Sequence, residues 1–358
     1  MTRLILLALV LCAACAPSLP RVYRTSRAAA VRAYAHGRYD EAARHWHHAA
    51  EASDRARDRD HALYRAAASH LRAREEAPAR ALLERLSRSG SENGARADYD
   101  LALLDLAHGK NAAARDRLER LVRTRPDAAI APSALKRLLS LLERSADERG
   151  MLATVGRLRA ALARSELDER LGYAEARMLD EFDEHAAALA AYLELARRHP
   201  YPDGVYFDDA LYRAALLERK LGRPRVALEH LTRLLAMRET ARIAGSYERA
   251  RYDQARFLMG ELYRDELGEL ELARRSFLEL YGEHATSRLR DDALWQAALI
   301  DFRAGDAPRG CNLLSRLVVE QPRSRYAACA PLACPKLKVA GARCHGYVAR
   351  ELERRPLR

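Results

Sequence analysis

The sequence contains no stretch in which apolar and polar residues alternate, so nothing in it predicts a β-strand. Proline is sparse, with 13 in 358 residues, and it falls mainly between segments that have the apolar spacing of a helix. Alanine, leucine, arginine and glutamate, all good helix formers, dominate those segments. The chain is therefore predicted to be all-α.

Sequence signatures of catalysis and of cofactor binding are also missing. The chain has no Gly-x-Ser-x-Gly elbow, no His-Glu-x-x-His, no phosphate-binding loop and no dinucleotide-binding fingerprint. Paired carboxylates occur at Asp208-Asp209 and Asp291-Asp292, where helices are predicted to begin, and they are expected to cap backbone N–H groups there. We therefore predict no enzyme, no catalytic residue, no cofactor and no small-molecule substrate.

Lysine is scarce, at five of the 62 basic residues, and the formal net charge of +12 comes mostly from arginine. Acidic residues are interspersed, and no run of five or more basic residues occurs, as a basic tail or arm would need. No nucleic-acid-reading motif accompanies the charge. Nucleic acid is therefore not an expected partner.

What the chain does contain is a repeat. The stretch from Asp208 to Gly222, DDALYRAALLERKLG, returns from Asp291 to Gly305 as DDALWQAALIDFRAG. The aromatic residue at its centre marks a slot that recurs at steps of 35 to 45 residues. Small residues, a turn and a second helix-period segment follow each slot. The marker slots are Arg27, Tyr64, Tyr99, Lys136, Tyr173, Tyr212, Phe257 and Trp295.

The residues around the turns resemble those of the tetratricopeptide repeat (TPR) family. The third repeat has Gly109 at its turn, Ala114 in its second helix and Pro126 at its end, and the first has Gly37 and Trp46 in the family's positions. The resemblance covers residues 22–325. It implies an α-α superhelix, a TPR solenoid of about eight helix–turn–helix repeats, each burying its apolar stripe on its neighbours.

The later repeats carry a narrower resemblance. Tyr201-Pro202-Asp203, Tyr206 and the Asp-Ala-Leu that begins at Asp209 resemble the opening of repeats in two bacterial envelope proteins. These are the TPR lipoprotein of the β-barrel assembly machine and the periplasmic TPR protein of the Tol–Pal system. The Pro/Gly-rich stop at 199–204 suggests a hinge. The expected domains are a signal peptide at 1–14, TPR halves at 22–200 and 201–325, and a C-terminal cap at 326–358.

The N-terminus predicts export. Arg3 is followed by an apolar run, Leu4 to Leu11, that is too short to cross a bilayer, and then by small residues and Cys15. This pattern resembles a bacterial lipobox, which implies that Cys15 is acylated and becomes the first mature residue. Ala16 follows it instead of the aspartate that implies inner-membrane retention, so the expected location is the periplasmic face of the outer membrane. A cleaved soluble periplasmic protein and an uncleaved anchor remain alternatives.

Four cysteines remain after the signal region: Cys311, Cys329, Cys334 and Cys344. An even number in an oxidising compartment predicts two disulfides, with three connectivities possible. The alternative is a zinc site that also uses His345, although no Cys-x-x-Cys pair is present. Two disulfides would clamp the tail as a protective cap on the last repeat.

The family resemblance implies that the marker slot and its neighbours line a concave groove. The predicted partner-binding residues are Tyr64, Tyr99, Tyr173, Asp209, Tyr212, Arg219, Phe257, Asp292, Trp295 and Phe302. Aromatic residues and arginine are typical of binding hot spots, but the same rings can instead pack between adjacent repeats. The sequence thus predicts a non-enzymatic scaffold lipoprotein that binds protein partners in an envelope complex. A peptidoglycan- or polysaccharide-binding module is the alternative.

Overall fold

The computed structural model describes residues 19–145, 147–237, 251–339 and 343–353. Within these ranges the regular structure is entirely helical, which confirms the all-α prediction. Sixteen helices follow one another as eight antiparallel hairpins. They are α1 (Arg21–Ala35), α2 (Tyr39–Glu51), α3 (Ala56–Arg72), α4 (Glu76–Ser87), α5 (Glu92–Ala107), α6 (Asn111–Thr124), α7 (Ala131–Leu142), α8 (Glu148–Ala161), α9 (Asp168–Glu181), α10 (His185–Arg198), α11 (Phe207–Lys220), α12 (Pro224–Ala236), α13 (Tyr252–Glu261), α14 (Leu270–Glu283), α15 (Arg290–Arg303) and α16 (Ala307–Glu320).

The hairpins fall into two compact units, residues 1–168 and 169–358. Helices α1 to α8 belong to the first unit, and the helices from α9 onward, except for the first residue of α9, belong to the second. In each unit, neighbouring helices pack against one another, as α1 does on α2 in the first unit and α11 on α12 in the second. The predicted division at residue 200 stays a prediction. The predicted signal peptide at 1–14 and Cys15 lie outside the described residues.

The hairpin turns show why short helices follow one another so closely. Gly109, between α5 and α6, has a φ of 72°, a left-handed conformation that costs a glycine little. Glycine fills the corresponding turn in four other hairpins. In two hairpins a residue other than glycine adopts this left-handed backbone conformation: Arg74 (φ 64°) and Asp183 (φ 59°). The turn geometry is thus kept even where the residue is not suited to it.

Small residues line the contacts between helices. Ala42, Ala66 and Ala102 are completely buried, and their small side chains let the helix backbones approach closely. Large rings fill the remaining space. Trp46, in the packed slot of a second helix, is 1% exposed. Its indole ring meets the His61 ring edge-on, with the ring centroids 5.9 Å apart. The residue between His45 and His47 is therefore part of the buried core.

Beyond α16 the chain forms a 3₁₀ turn (Ala327–Cys329), a short helix α17 (Ala330–Ala333) and a last helix α18 (Gly346–Glu353). Two disulfides fasten this tail: Cys311 to Cys334, with Cα atoms 5.7 Å apart, and Cys329 to Cys344, with Cα atoms 4.7 Å apart. The disulfide prediction is confirmed, and the structure selects one of the three connectivities. Because all four sulfurs are bonded in pairs, the zinc alternative with His345 is wrong.

Candidate functional site

Five of the predicted groove residues, all in marker slots, lie half-buried on the first helices of their hairpins. They are Tyr64 on α3, Tyr99 on α5, Tyr173 on α9, Tyr212 on α11 and Phe257 on α13. Because each ring packs against its neighbours while part of it faces solvent, the two roles considered from sequence, packing and recognition, are not exclusive. The hydroxyl groups of two of these tyrosines also donate hydrogen bonds to the following hairpin.

Those bonds join tyrosine hydroxyls to aspartates one repeat later. Tyr64 donates to Asp100 Oδ2 at 2.8 Å in the first unit. Tyr173 donates to Asp209 in the second unit, and its ring stacks on Tyr206 with centroids 4.2 Å apart. In both bonds the residues are 36 positions apart, so the bond joins consecutive repeats. Burial and the adjacent carboxylate raise the pKa of both hydroxyls, so each remains a donor at neutral pH.

Asp209 is the centre of the polar network in the second unit. Its side chain is 16% exposed, and it accepts from Tyr173, from Arg213 Nε at 2.6 Å and from Arg251 Nε at 2.5 Å. Burial raises the pKa of this carboxyl, but the bonds from Tyr173 and Arg213 outweigh burial and hold the pKa below its usual value. Asp209 is therefore ionised, and its hydrogen bonds connect α9, α11 and the start of α13.

The paired aspartates lie in the first turns of α11 and α15, as predicted, where a negative charge favours the helix dipole. Asp291 also accepts from Ser324 Oγ at 2.8 Å. Asp292 accepts from Arg325 Nη2 and from the Tyr326 hydroxyl, both at 2.6 Å. Asp291 and Asp292 therefore also hold the segment that follows α16.

Beside Asp209 lies a cavity of about 710 Å³, open to solvent. Its walls are formed by α11, by α13 together with Arg251 just before it, and by the loop that precedes α15. Half-buried aromatic rings, buried leucine and charged groups share the lining. The lining residues are Asp209, Tyr212, Arg251, Asp253, Gln254, Phe257, Leu258, Glu261, Thr286, Ser287, Arg288 and Leu289.

Arg251 shapes one wall of this cavity. Its backbone is left-handed (φ 83°) immediately before α13, and its guanidinium lies over the Tyr212 ring, 5.3 Å from the centroid. The guanidinium also donates to Gln254 and to Asp209. Sequence analysis missed Arg251 because no periodic signal marks the residue before a helix. Its left-handed backbone fixes its position, and that conformation depends on tertiary contacts.

Three other charged residues of the lining, Glu261, Asp253 and Arg288, differ in whether they have a bonding partner. Glu261 is paired with Arg219, 3.1 Å away, and the same guanidinium bonds Glu266 at 2.5 Å in a π-helical turn that follows α13. Arg219 was predicted to line the groove. It is absent from the lining of this cavity and contacts it through Glu261, with which it pairs. Asp253 accepts from Ser287 Oγ at 2.7 Å. Arg288 is exposed and has no ion-pair partner among the residues that the structure describes.

Two of the predicted groove residues, Trp295 and Phe302, pack against later segments of the chain and do not line this cavity. Trp295 is completely buried, stacked on Tyr326 at 4.9 Å, and its Nε1 donates to Glu351 of α18 at 2.7 Å. The prediction that Trp295 faces an open groove is therefore wrong. Phe302 is half-buried against α16, where a methyl group on Gly310 would lie 2.6 Å from its ring.

Residues 209–237 match the family model described as Tetratricopeptide repeat. This stretch is a tetratricopeptide repeat. It spans most of α11 and all of α12, and it contributes Asp209 and Tyr212 to the cavity. No curated protein sequence matches the chain.

Several solved structures resemble this chain in fold. YrrB, described as a TPR protein with an unusual peptide-binding site, is 17% identical, with a TM-score of 0.40 over 62% of this chain and 98% of its own. PilF of Pseudomonas aeruginosa is 18% identical, with a TM-score of 0.40 over 65% and 95%. The apo form of RapI is 10% identical, with a TM-score of 0.46 over 92% and 96%. At identities this low, nothing that those proteins bind carries over to this chain.

No group of three or more histidine, cysteine or acidic side chains is arranged to hold a metal ion within the described ranges. No helix among these residues has the length and apolar character to cross a bilayer.

Tetratricopeptide repeats commonly stack into concave surfaces that bind other proteins. The repeat at 209–237 contributes Asp209 and Tyr212 to the cavity described above.

Proposed function

We propose that the chain is a non-enzymatic scaffold that binds a segment of a partner protein in the cavity beside Asp209. The observation that carries the proposal is the lining of that cavity. Two half-exposed rings, Tyr212 and Phe257, stand above buried Leu258, and charged groups surround them. Its volume of about 710 Å³ falls within the range of ligand-binding clefts. Rings beside arginine are the usual composition of a binding hot spot.

The network around Asp209 supports this proposal because it pre-organises the site. Arg251 is held between Asp209 and Gln254 and covers the Tyr212 ring. A ring and a guanidinium that are already fixed lose little conformational entropy when a ligand binds. Exposed Arg288, which has no ion-pair partner among the described residues, supplies a positive charge that can pair with a carboxylate of the partner. The expected ligand is therefore a segment with an apolar anchor and an acidic residue near it.

The partner is proposed to belong to the bacterial envelope, with the scaffold tethered through lipid on Cys15 at the periplasmic face of the outer membrane. The two disulfides support an oxidising compartment, since such bonds are rare in the cytosol. Metabolic labelling with a palmitate analogue tests the tether. Label on the wild-type chain that is lost from Cys15→Ser supports it, and an unlabelled wild-type chain refutes it. Assembly, division, secretion and motility complexes are the proposed settings.

Site-specific photocrosslinking tests the binding site. A benzophenone amino acid at Phe257 is expected to capture one partner protein in living cells, because this ring lines the cavity. The same probe at Val319, which is 75% exposed on α16 outside the lining, is the matched control. Equal capture at both positions would refute the assignment of the cavity. Capture of peptidoglycan fragments instead of protein would favour the polysaccharide-binding alternative.

Charge reversal gives a second test that spares the fold. Arg288→Glu is expected to abolish recovery of the crosslinked partner by pulldown, because it would repel the acidic residue proposed for the ligand. Arg275→Glu, at an exposed arginine on α14 outside the cavity lining, is the charge-matched control and is expected to retain the partner. Equal retention by both variants would exclude an acidic partner at Arg288.

A further inference from the structure

A second cavity, of about 290 Å³, lies in the first unit between α5 and α7. Its lining differs from that of the larger cavity because every residue in it carries a hydrogen-bond donor. Tyr99 comes from α5, and Ser133, Lys136, Arg137 and Ser140 come from α7.

The repeat itself places these residues together. Ser133, Lys136, Arg137 and Ser140 have the spacing i, i+3, i+4 and i+7, so they share one face of α7. Tyr99 and Lys136 occupy the marker slot of consecutive repeats, so the tyrosine ring and the lysine lie side by side across the helix pair. Lys136 stands where most repeats have an aromatic ring. The substitution replaces an apolar surface with a positively charged one.

No carboxylate of the described residues pairs with the charges of this cavity. Lys136 and Arg137 are both exposed, and neither has an ion-pair partner in the described part of the chain. None of the described lining residues is a carboxylate. Three hydroxyl groups complete the lining and can donate beside the two cations. Five donors and two positive charges therefore face one small space.

We infer that this cavity binds a phosphate-type dianion, either free phosphate or a phosphate monoester. A dianion matches the two positive charges of Lys136 and Arg137, whereas a carboxylate supplies one charge and two oxygens. The guanidinium of Arg137 pairs with two phosphate oxygens in a planar fork, and Lys136 serves as a point charge. The remaining oxygens accept from Tyr99, Ser133 and Ser140. This site is independent of the proposed partner-binding cavity, which lies in the other unit.

Isothermal titration calorimetry on the purified full chain tests the inference. Inorganic phosphate, glycerol 1-phosphate and acetate are titrated at matched ionic strength into the wild type and into Lys136→Gln and Arg137→Gln. The control is Lys110→Gln, which removes the same charge from an exposed lysine of the first unit that does not line the cavity. Thermal unfolding of each variant checks that the fold is kept.

The wild type is expected to bind phosphate or glycerol phosphate in preference to acetate, and the tighter of the two identifies the natural source. Lys136→Gln and Arg137→Gln are each expected to weaken the tighter ligand about tenfold, since each removes a charge-assisted hydrogen bond. Lys110→Gln is expected to change the affinity by less than about twofold. No binding by the wild type, equal binding of acetate, or an equal loss in Lys110→Gln would overturn the inference.

Discussion

Replacing Asp209 with asparagine tests whether its network holds consecutive repeats together. Asparagine keeps the shape of the side chain and removes the charge that accepts from Tyr173, Arg213 and Arg251. A hydrogen bond to a charged group contributes about 1.5–3 kcal/mol. Because the Asp209 side chain is only 16% exposed, solvent replaces little of what is lost. Arg213 keeps a second carboxylate, Asp180, at 3.9 Å. We therefore expect Asp209→Asn to lower the free energy of unfolding by about 2–4 kcal/mol.

The effect depends on pH in a direction that follows from the pKa. The folded-state pKa of Asp209 lies below its ordinary value of 3.8. Its contribution is therefore present above the unfolded-state pKa and is lost as the pH falls through the lower folded-state value. Asparagine does not titrate, so the stability difference between the wild type and Asp209→Asn is largest at neutral pH and shrinks under acid.

Urea unfolding followed by circular dichroism measures this difference at neutral and acid pH. Asp116→Asn is the control, because Asp116 is 71% exposed in a surface pair with Arg115, and a change within about 0.5 kcal/mol is expected there. A double-mutant cycle with Tyr173→Phe is expected to show coupling of about 1 kcal/mol. An unchanged unfolding midpoint in Asp209→Asn, or a difference that persists undiminished in acid, would refute the reasoning.

Further predictions concern the tail and the turns. Cys344→Ser opens a loop of 15 residues and Cys334→Ser one of 23, so we expect losses of about 3 and about 3.4 kcal/mol in calorimetric unfolding. Melting temperatures unchanged by reductant would contradict this. Gly109→Ala places a Cβ at a φ of 72° and should cost about 1–2 kcal/mol, whereas Arg74→Gly, at a φ of 64°, should stabilise by up to about 1 kcal/mol. Shifts of the same sign in both variants would show that the turn conformation is not the cause.

Much of the fold was predictable from sequence because its determinants are local. The spacing of apolar residues indicates each helix, and glycine marks turns such as the one at Gly109. A period of 35 to 45 residues then predicts hairpins that stack. Each hairpin contacts mainly its neighbours, so one correct repeat predicts the next. The repeat also places Trp46 in the packed slot of a second helix, where it is buried. A separate argument, the even number of late cysteines, predicted that they are bonded in pairs.

The candidate site was only partly predictable. Tyr212, Phe257 and Asp209 were found because they occupy repeated slots, and the structure brings them to one cavity. Trp295 occupies the same slot and is buried, because Tyr326 stacks on it and Glu351 accepts from its indole 56 positions later in the chain. No repeat pattern contains that information, since the covering segment is not part of a repeat.

By itself, the sequence determined the class of structure, the repeat and the residues of its marker slot, because these depend on neighbours a few positions away. Tertiary structure alone decided which of those slots remain open, which cysteines pair, and that Arg251 turns over Tyr212 to form a cavity wall. These outcomes depend on contacts between distant segments. Whether a side chain is exposed is settled only when the surrounding chain has packed.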